Sequence, residues 1–210
     1  MSLSIKPLLC LAGAGVVSTG SFFVISSLRK SEVLSVKNRL EKSGYSILNL
    51  NKQDTIQHSS EWEQVKEAYG SEADANLKFD NVITKDDNTI GKMKDACSSL
   101  LSKESYSSDD LEKARRWCAV PVTVASRIGD NFKFMDTQGT NDSSLWQATL
   151  QEYKTSGSSI LKMPVTPSSG DTVSEDDLKK ECGKVKDYKT FQKDFETFVL
   201  HAKNWCTKAK

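Results

Sequence analysis

Ser59-Ser60-Glu61-Trp62 and Ser143-Ser144-Leu145-Trp146 share the pattern Ser-Ser-x-Trp, and the residues downstream of each decide the fold. Tyr69 lies seven residues after Trp62, and Tyr153 lies seven after Trp146. Leu77-Lys78-Phe79 and Leu161-Lys162-Met163 then fall at the same offset of 84. Six of 21 gapless positions are identical, where chance gives roughly one or two. The register continues loosely. Thr84-Lys85-Asp86-Asp87 resembles Ser174-Glu175-Asp176-Asp177, Cys97 answers Cys182, and Trp117-Cys118 answers Trp205-Cys206. The pattern predicts two copies of one module, residues 31–127 and 128–210, behind an N-terminal segment 1–30.

The module reads as mainly α. Ser59 or Ser60 can cap a helix running to about Tyr69, a hydroxyl taking a free backbone N–H of the first turn, and Ser143 or Ser144 can do the same in the second copy. Ser174 with Asp177 has the spacing of a capping box. Phe191, Phe195, Phe198, Val199, Ala202, Trp205 and Cys206 recur at helical spacing and predict one wide apolar stripe on the last helix. Ile90, Met93, Cys97, Leu100 and Leu101 give a shorter stripe, and Leu111, Ala114, Trp117 and Cys118 another. Such stripes predict core. Tyr45 to Leu50 and Asn131 to Met135 alternate in polarity, which predicts minor short strands. Val120 to Val124 reads as extended, and Met163 to Gly170, with two prolines and a glycine, as loop.

Between Lys6 and Arg29 no residue is charged. The run from about Leu8 to Leu28 has the roughly 20 residues that span a hydrocarbon core as a helix. Gly13, Gly15, Ser18, Thr19, Gly20 and Ser21 dilute its middle, which spanning helices tolerate where a partner approaches. An uncleaved transmembrane anchor is the favoured reading. A cleaved signal peptide ending near Ser18 and Gly20 and a buried soluble helix are the alternatives. A lipoprotein site at Cys10 fails because Leu9 is too large for the position before it. Lys6 precedes the span, and Arg29, Lys30, Lys37 and Arg39 follow it, which favours a cytoplasmic body. The cysteines favour an exported one.

Apart from Cys10, the cysteines fall two per copy, Cys97 with Cys118 and Cys182 with Cys206. In an exported body each pair could close a disulfide loop of about 20–25 residues, worth ~3 kcal/mol by the chain-entropy model. A turn near Ser105–Ser107 would set the first two level on antiparallel helices. The rival reading is four buried thiols. Zinc is disfavoured: no Cys-x-x-Cys occurs, and His58 and His201 are the only histidines.

Catalytic signatures are missing. The sequence has no phosphate loop, dinucleotide fingerprint or Gly-x-Ser-x-Gly elbow. Asp86-Asp87, Asp109-Asp110 and Asp176-Asp177 sit near predicted helix starts, where carboxylates favour the dipole, and His201 lies on or beside the last stripe. Asn141-Asp142-Ser143 fits the glycosylation triplet. Net charge is +1 over 210 residues, which argues against a nucleic-acid partner. No cofactor, metal or catalytic residue is assigned, and the expectation is a protein that is not an enzyme.

The Gly/Ala-rich start Leu8-Leu9-Cys10-Leu11-Ala12-Gly13-Ala14-Gly15, the Lys-, Ser- and Asp-rich body and the two Trp-Cys pairs, Trp117-Cys118 and Trp205-Cys206, carry a resemblance. The chain resembles an uncharacterised paralogous membrane-anchored protein family of haemotropic mycoplasmas. The resemblance covers the whole chain by layout, through short motifs. It implies a surface-exposed, antigenically variable protein with no established enzymatic activity, in a cell with one membrane and no wall. The expectation is therefore a single-pass cell-membrane protein. It would hold the lipid bilayer through residues 8–28, with an extracellular body and an interaction or antigenic role toward a host or neighbouring protein. An anchored cytoplasmic scaffold and a cleaved-signal secreted protein are the alternatives.

Overall fold

Ser35, Ser107, Thr123 and Ser174 each turn a hydroxyl onto an amide of a first helical turn and so begin α1 (Val36–Lys42), α4 (Ser108–Cys118), α5 (Val124–Arg127) and α7 (Glu175–Val185). Ser107 with Asp110 and Ser174 with Asp177 close full capping boxes. A hydroxyl cap of this kind is worth about 1 kcal/mol. The structure is a computed structural model that describes residues 34–83, 86–156 and 162–210. The other helices are α2 (Ser59–Ser71), α3 (Thr89–Leu101), α6 (Ser143–Thr155) and α8 (Phe195–Trp205), with a 3-10 turn at Ala75–Leu77. Two short strands, β1 (Phe132–Phe134) and β2 (Thr207–Ala209), pair antiparallel with Phe134 opposite Thr207. The protein is mainly helical.

The Ser-Ser pairs do not cap their helices. α2 starts from His58, which sits in the left-handed region at φ 61°, and α6 starts from Asp142; neither caps by its side chain. Both side chains are engaged elsewhere. Asn49 N–H donates to His58 Nδ1 at 2.9 Å, and Asp136 N–H donates to Asp142 Oδ2 at 2.8 Å. A second difference concerns Phe191. It precedes α8 and packs against the first core instead of lying on the last helix. Asp194, at φ 58°, breaks the helical path between Phe191 and Phe195. The extended reading of Tyr45 to Leu50 reduces to one bridge, Ile47 to Ala119.

Two core clusters form. The first runs from Val36 to Ala119 and the second from Val124 to Cys206. Val124 and Ile128 pack in the second, so α5 joins that core although the sequence boundary at residue 127 put it with the first. All four tryptophans are buried. Among the described residues no helix is long and apolar enough to cross a membrane. The expected span at residues 8–28, Cys10, Thr84-Lys85 and Leu161 lie outside the described residues.

Candidate functional site

The four cysteines expected to pair do meet. Cys97 and Cys118 stand at disulfide distance with Cα atoms 5.5 Å apart, and Cys182 and Cys206 do so at 5.4 Å. All four are fully buried. Each pair ties the middle of one helix, α3 or α7, to the end of the next, α4 or α8.

Around each pair the same set of contacts is built. Trp117 and Tyr69 pack edge to face at 5.1 Å and 79°, and Trp205 and Tyr153 do so at 5.2 Å and 80°. Such aromatic pairs add about 0.5–1.5 kcal/mol beyond the area they bury. Tyr69 Oη accepts from Phe79 N–H at 2.8 Å, and Tyr153 Oη donates to Met163 O at 2.7 Å. Lys78 and Lys162 stand over the two tyrosine rings. The indole N–H of Trp62 donates to Asn49 O at 3.0 Å, and that of Trp146 to Asp136 O at 2.8 Å. Leu48 N–H reaches Cys118 O and Met135 N–H reaches Cys206 O, both at 2.9 Å. Val36 N–H reaches Lys103 O at 2.9 Å and Val124 N–H reaches Tyr188 O at 2.8 Å. Burial of the phenol raises both Tyr69 and Tyr153 above the usual tyrosine value.

Half of the loose match between Thr84-Lys85-Asp86-Asp87 and Ser174-Glu175-Asp176-Asp177 lies outside the described residues. Counted back from the cysteines, Thr89 stands eight residues before Cys97 and Ser174 eight before Cys182, but Ser174 caps α7 by its side chain while α3 starts from Asn88 without one. Asp86 lies ahead of α3 in a turn, accepting Asn88 N–H at 2.9 Å, while Asp110 and Asp177 serve as capping carboxylates. The hydroxyl of Ser174 is the first of the donors that hold Asp177 well below the usual carboxylate range.

Sequence periodicity missed the seam between the cores. The segment Lys189–Asp194, joining α7 to α8, lies on α4. Arg115 donates to the carbonyls of Thr190 and Gln192, and Arg116 Nε donates to Phe191 O at 2.8 Å. Both arginines are buried, and they pair with Glu112 and Glu72 respectively. Tyr45 donates to Glu196 across the seam. Arg127 stacks 4.2 Å over Tyr45 and donates to the carbonyls of Ser43 and Gly44, which end α1. Gly44 is required there: it sits at φ +80°, and a Cβ would stand 2.9 Å from the Arg127 guanidinium.

His201 is buried on α8 beside Phe198, with Nδ1 unpartnered and the imidazole pushed below its ordinary value by burial. Among the described residues no group of His, Cys, Asp and Glu is arranged to hold a metal ion. An open concavity of about 710 Å³ on the first core runs between α1, residues 47–51 and α3. Smaller clefts of about 350 Å³ and 610 Å³ lie beside the turns that precede α2 and α6. Comparison of the chain with protein-family models, with curated proteins and with solved structures finds no match in any of the three.

Proposed function

We propose that the protein is a single-pass, membrane-anchored surface protein. Residues 8–28 are its anchor, and its extracellular body is a twice-copied helical module with an interaction or antigenic role. The observation that carries this reading is the burial of two cysteine pairs at disulfide distance, one in each core. Disulfides persist in oxidising surroundings and are rare in reducing cytosol. The matching tyrosine, tryptophan and backbone contacts around the two pairs support duplication. They also support placing the boundary near residues 120–123, where one core ends and the other begins. The resemblance to the membrane-anchored families of haemotropic mycoplasmas adds to the reading, and no catalytic motif recognised in the sequence competes with it.

The test is amine labelling of intact cells with a membrane-impermeant reagent, combined with alkylation of the denatured protein without reductant. Surface display predicts labelled body lysines on intact cells and no alkylation of Cys97, Cys118, Cys182 or Cys206. A body labelled only after lysis, with all four thiols reacting, would reject the reading in favour of an anchored cytoplasmic module.

A further inference from the structure

One buried cation lacks a carboxylate of its own. Lys94 on α3 is 5% exposed, and its ammonium donates to the carbonyls of Asn51 at 2.8 Å and Asp54 at 3.1 Å. Arg115 and Arg116, equally buried, each have an ion pair; Lys94 has none among the described residues. A buried charge is costly unless paired. The Asp54 carboxylate feels the lysine's field, but Lys94 does not donate to it, and its oxygens take other donors. Oδ1 takes the amides of Ile56 and Gln57, and Oδ2 takes the Asn49 side chain. An ammonium has three N–H donors, and the two carbonyls account for two.

Lys94 borders the cleft of about 350 Å³, together with Ile90, Lys52 and the indole of Trp62. The ammonium stands 5.8 Å over that indole. The first turns of α2 and α3 open on the same space through Ser59, Asn88, Ile90 and Gly91, and neither helix has a side-chain cap. The two helix dipoles add partial positive charge there, although the amides of Ser59 and Thr89 already donate to Ile56 O at 3.2 Å and Asp86 O at 3.0 Å. Asp87 at the rim opposes them, while Glu63 is engaged by Lys66.

We propose that this cleft binds a small organic anion, its carboxylate or phosphate against Lys94 and the two helix ends and its apolar body over Ile90. Among the described residues the second core holds no equivalent buried, carboxylate-free lysine. Lys179 precedes Cys182 by three residues, as Lys94 precedes Cys97. It is paired with Glu175 at 2.7 Å, and its cleft is lined by Thr137, Gln138 and Thr140. Binding is thus one ligand per chain, and it does not depend on which side of a membrane holds the body.

The test is an amide and indole NMR titration of the full chain in non-ionic detergent with benzoate, phenyl phosphate and inorganic phosphate. Saturable shifts at Ser59, at Asn88–Gly91 and at the Trp62 indole are expected with benzoate or phenyl phosphate. The stronger of the two identifies the anionic group. Lys94→Met should abolish them while the Trp146 indole stays in place as the check of folding. If that variant does not fold, Ile90→Asp, which puts a like charge in the cleft, should abolish them instead. Asp87→Asn should tighten binding about 2-fold, the effect of one screened rim charge. No saturable shift, equal shifts from inorganic phosphate, or undiminished binding by Lys94→Met would each overturn the proposal.

Discussion

Removing the cysteine pairs one at a time measures what holds each core. The separations are 21 residues for Cys97–Cys118 and 24 for Cys182–Cys206. Loop-closure entropy depends on the logarithm of that length, so the model gives nearly the same value for both, roughly 3 kcal/mol. For a body of this size 1 kcal/mol moves the melting temperature by about 2–4 °C. Cys97→Ala with Cys118→Ala should therefore lower Tm by roughly 6–12 °C. Cys182→Ala with Cys206→Ala should do the same. Total stabilities of domains run about 5–15 kcal/mol, so removing both pairs takes a large share of the whole.

Alanine at both positions of a pair avoids leaving a buried thiol or hydroxyl, and it removes only two sulfur atoms from each core. Reducing the wild-type chain supplies the matching comparison without any substitution. The assay is thermal unfolding followed by far-ultraviolet circular dichroism on the detergent-solubilised full chain, oxidised and reduced. The reasoning fails if the oxidised wild type melts within about 2 °C of the quadruple alanine variant, less than the shift expected from a single pair. It also fails if one pair carries the whole effect, because loops of such similar length leave no entropic reason for a difference.

Two further outcomes concern buried charge. Arg116→Leu leaves Glu72 and the Phe191 carbonyl without their donor, and should cost about 3 kcal/mol in denaturant unfolding, most of it restored by adding Glu72→Leu; a single variant within about 0.5 kcal/mol of wild type, the range of an ordinary surface substitution, would contradict the buried pairing. For His201, burial pushes the imidazole below its usual value of 6.5, so the unfolded chain binds the proton more readily and stability is lost as pH falls below that value; the urea midpoint should drop between about pH 7 and pH 5, and His201→Phe should flatten that slope, an unchanged slope counting against the assignment.

How much was legible depends on what kind of contact a residue makes. Trp62, Trp117, Trp146 and Trp205, with Tyr69, Tyr153 and the cysteines, recur in sequence because their contacts need that side chain. A buried indole N–H must find a carbonyl, and the phenol and indole rings must meet edge to face. His58 and Asp142 do one job with different chemistry: each accepts the amide of the residue whose carbonyl takes the indole. The separation in sequence also differs, nine positions against six. Identity and a fixed offset both fail there, so the equivalence is visible only in three dimensions. Phe191 shows the limit of periodicity. Its spacing to Phe195 and Phe198 fits a helix, yet the left-handed Asp194 between them turns the chain and hands Phe191 to the other core.

Arg115 and Arg116 were hidden for a further reason. A polarity pattern assigns charged residues to the solvent face, and nothing local signals that carbonyls from residues 190–192 will cover them. On the proposed duplication, their counterparts, 88 residues on with the Trp-Cys pairs, are Lys203 and Asn204. Asn204 is exposed where Arg116 is buried, and Leu200, in the place of Glu112, is half exposed. A lysine and an asparagine cannot supply the forked donors that Arg115 and Arg116 present to three consecutive carbonyls. On that proposed duplication, the second module lacks the donors by which α4 holds the carbonyls of residues 190–192. The two cores agree in the contacts that each builds around its cysteine pair and differ at the seam between them.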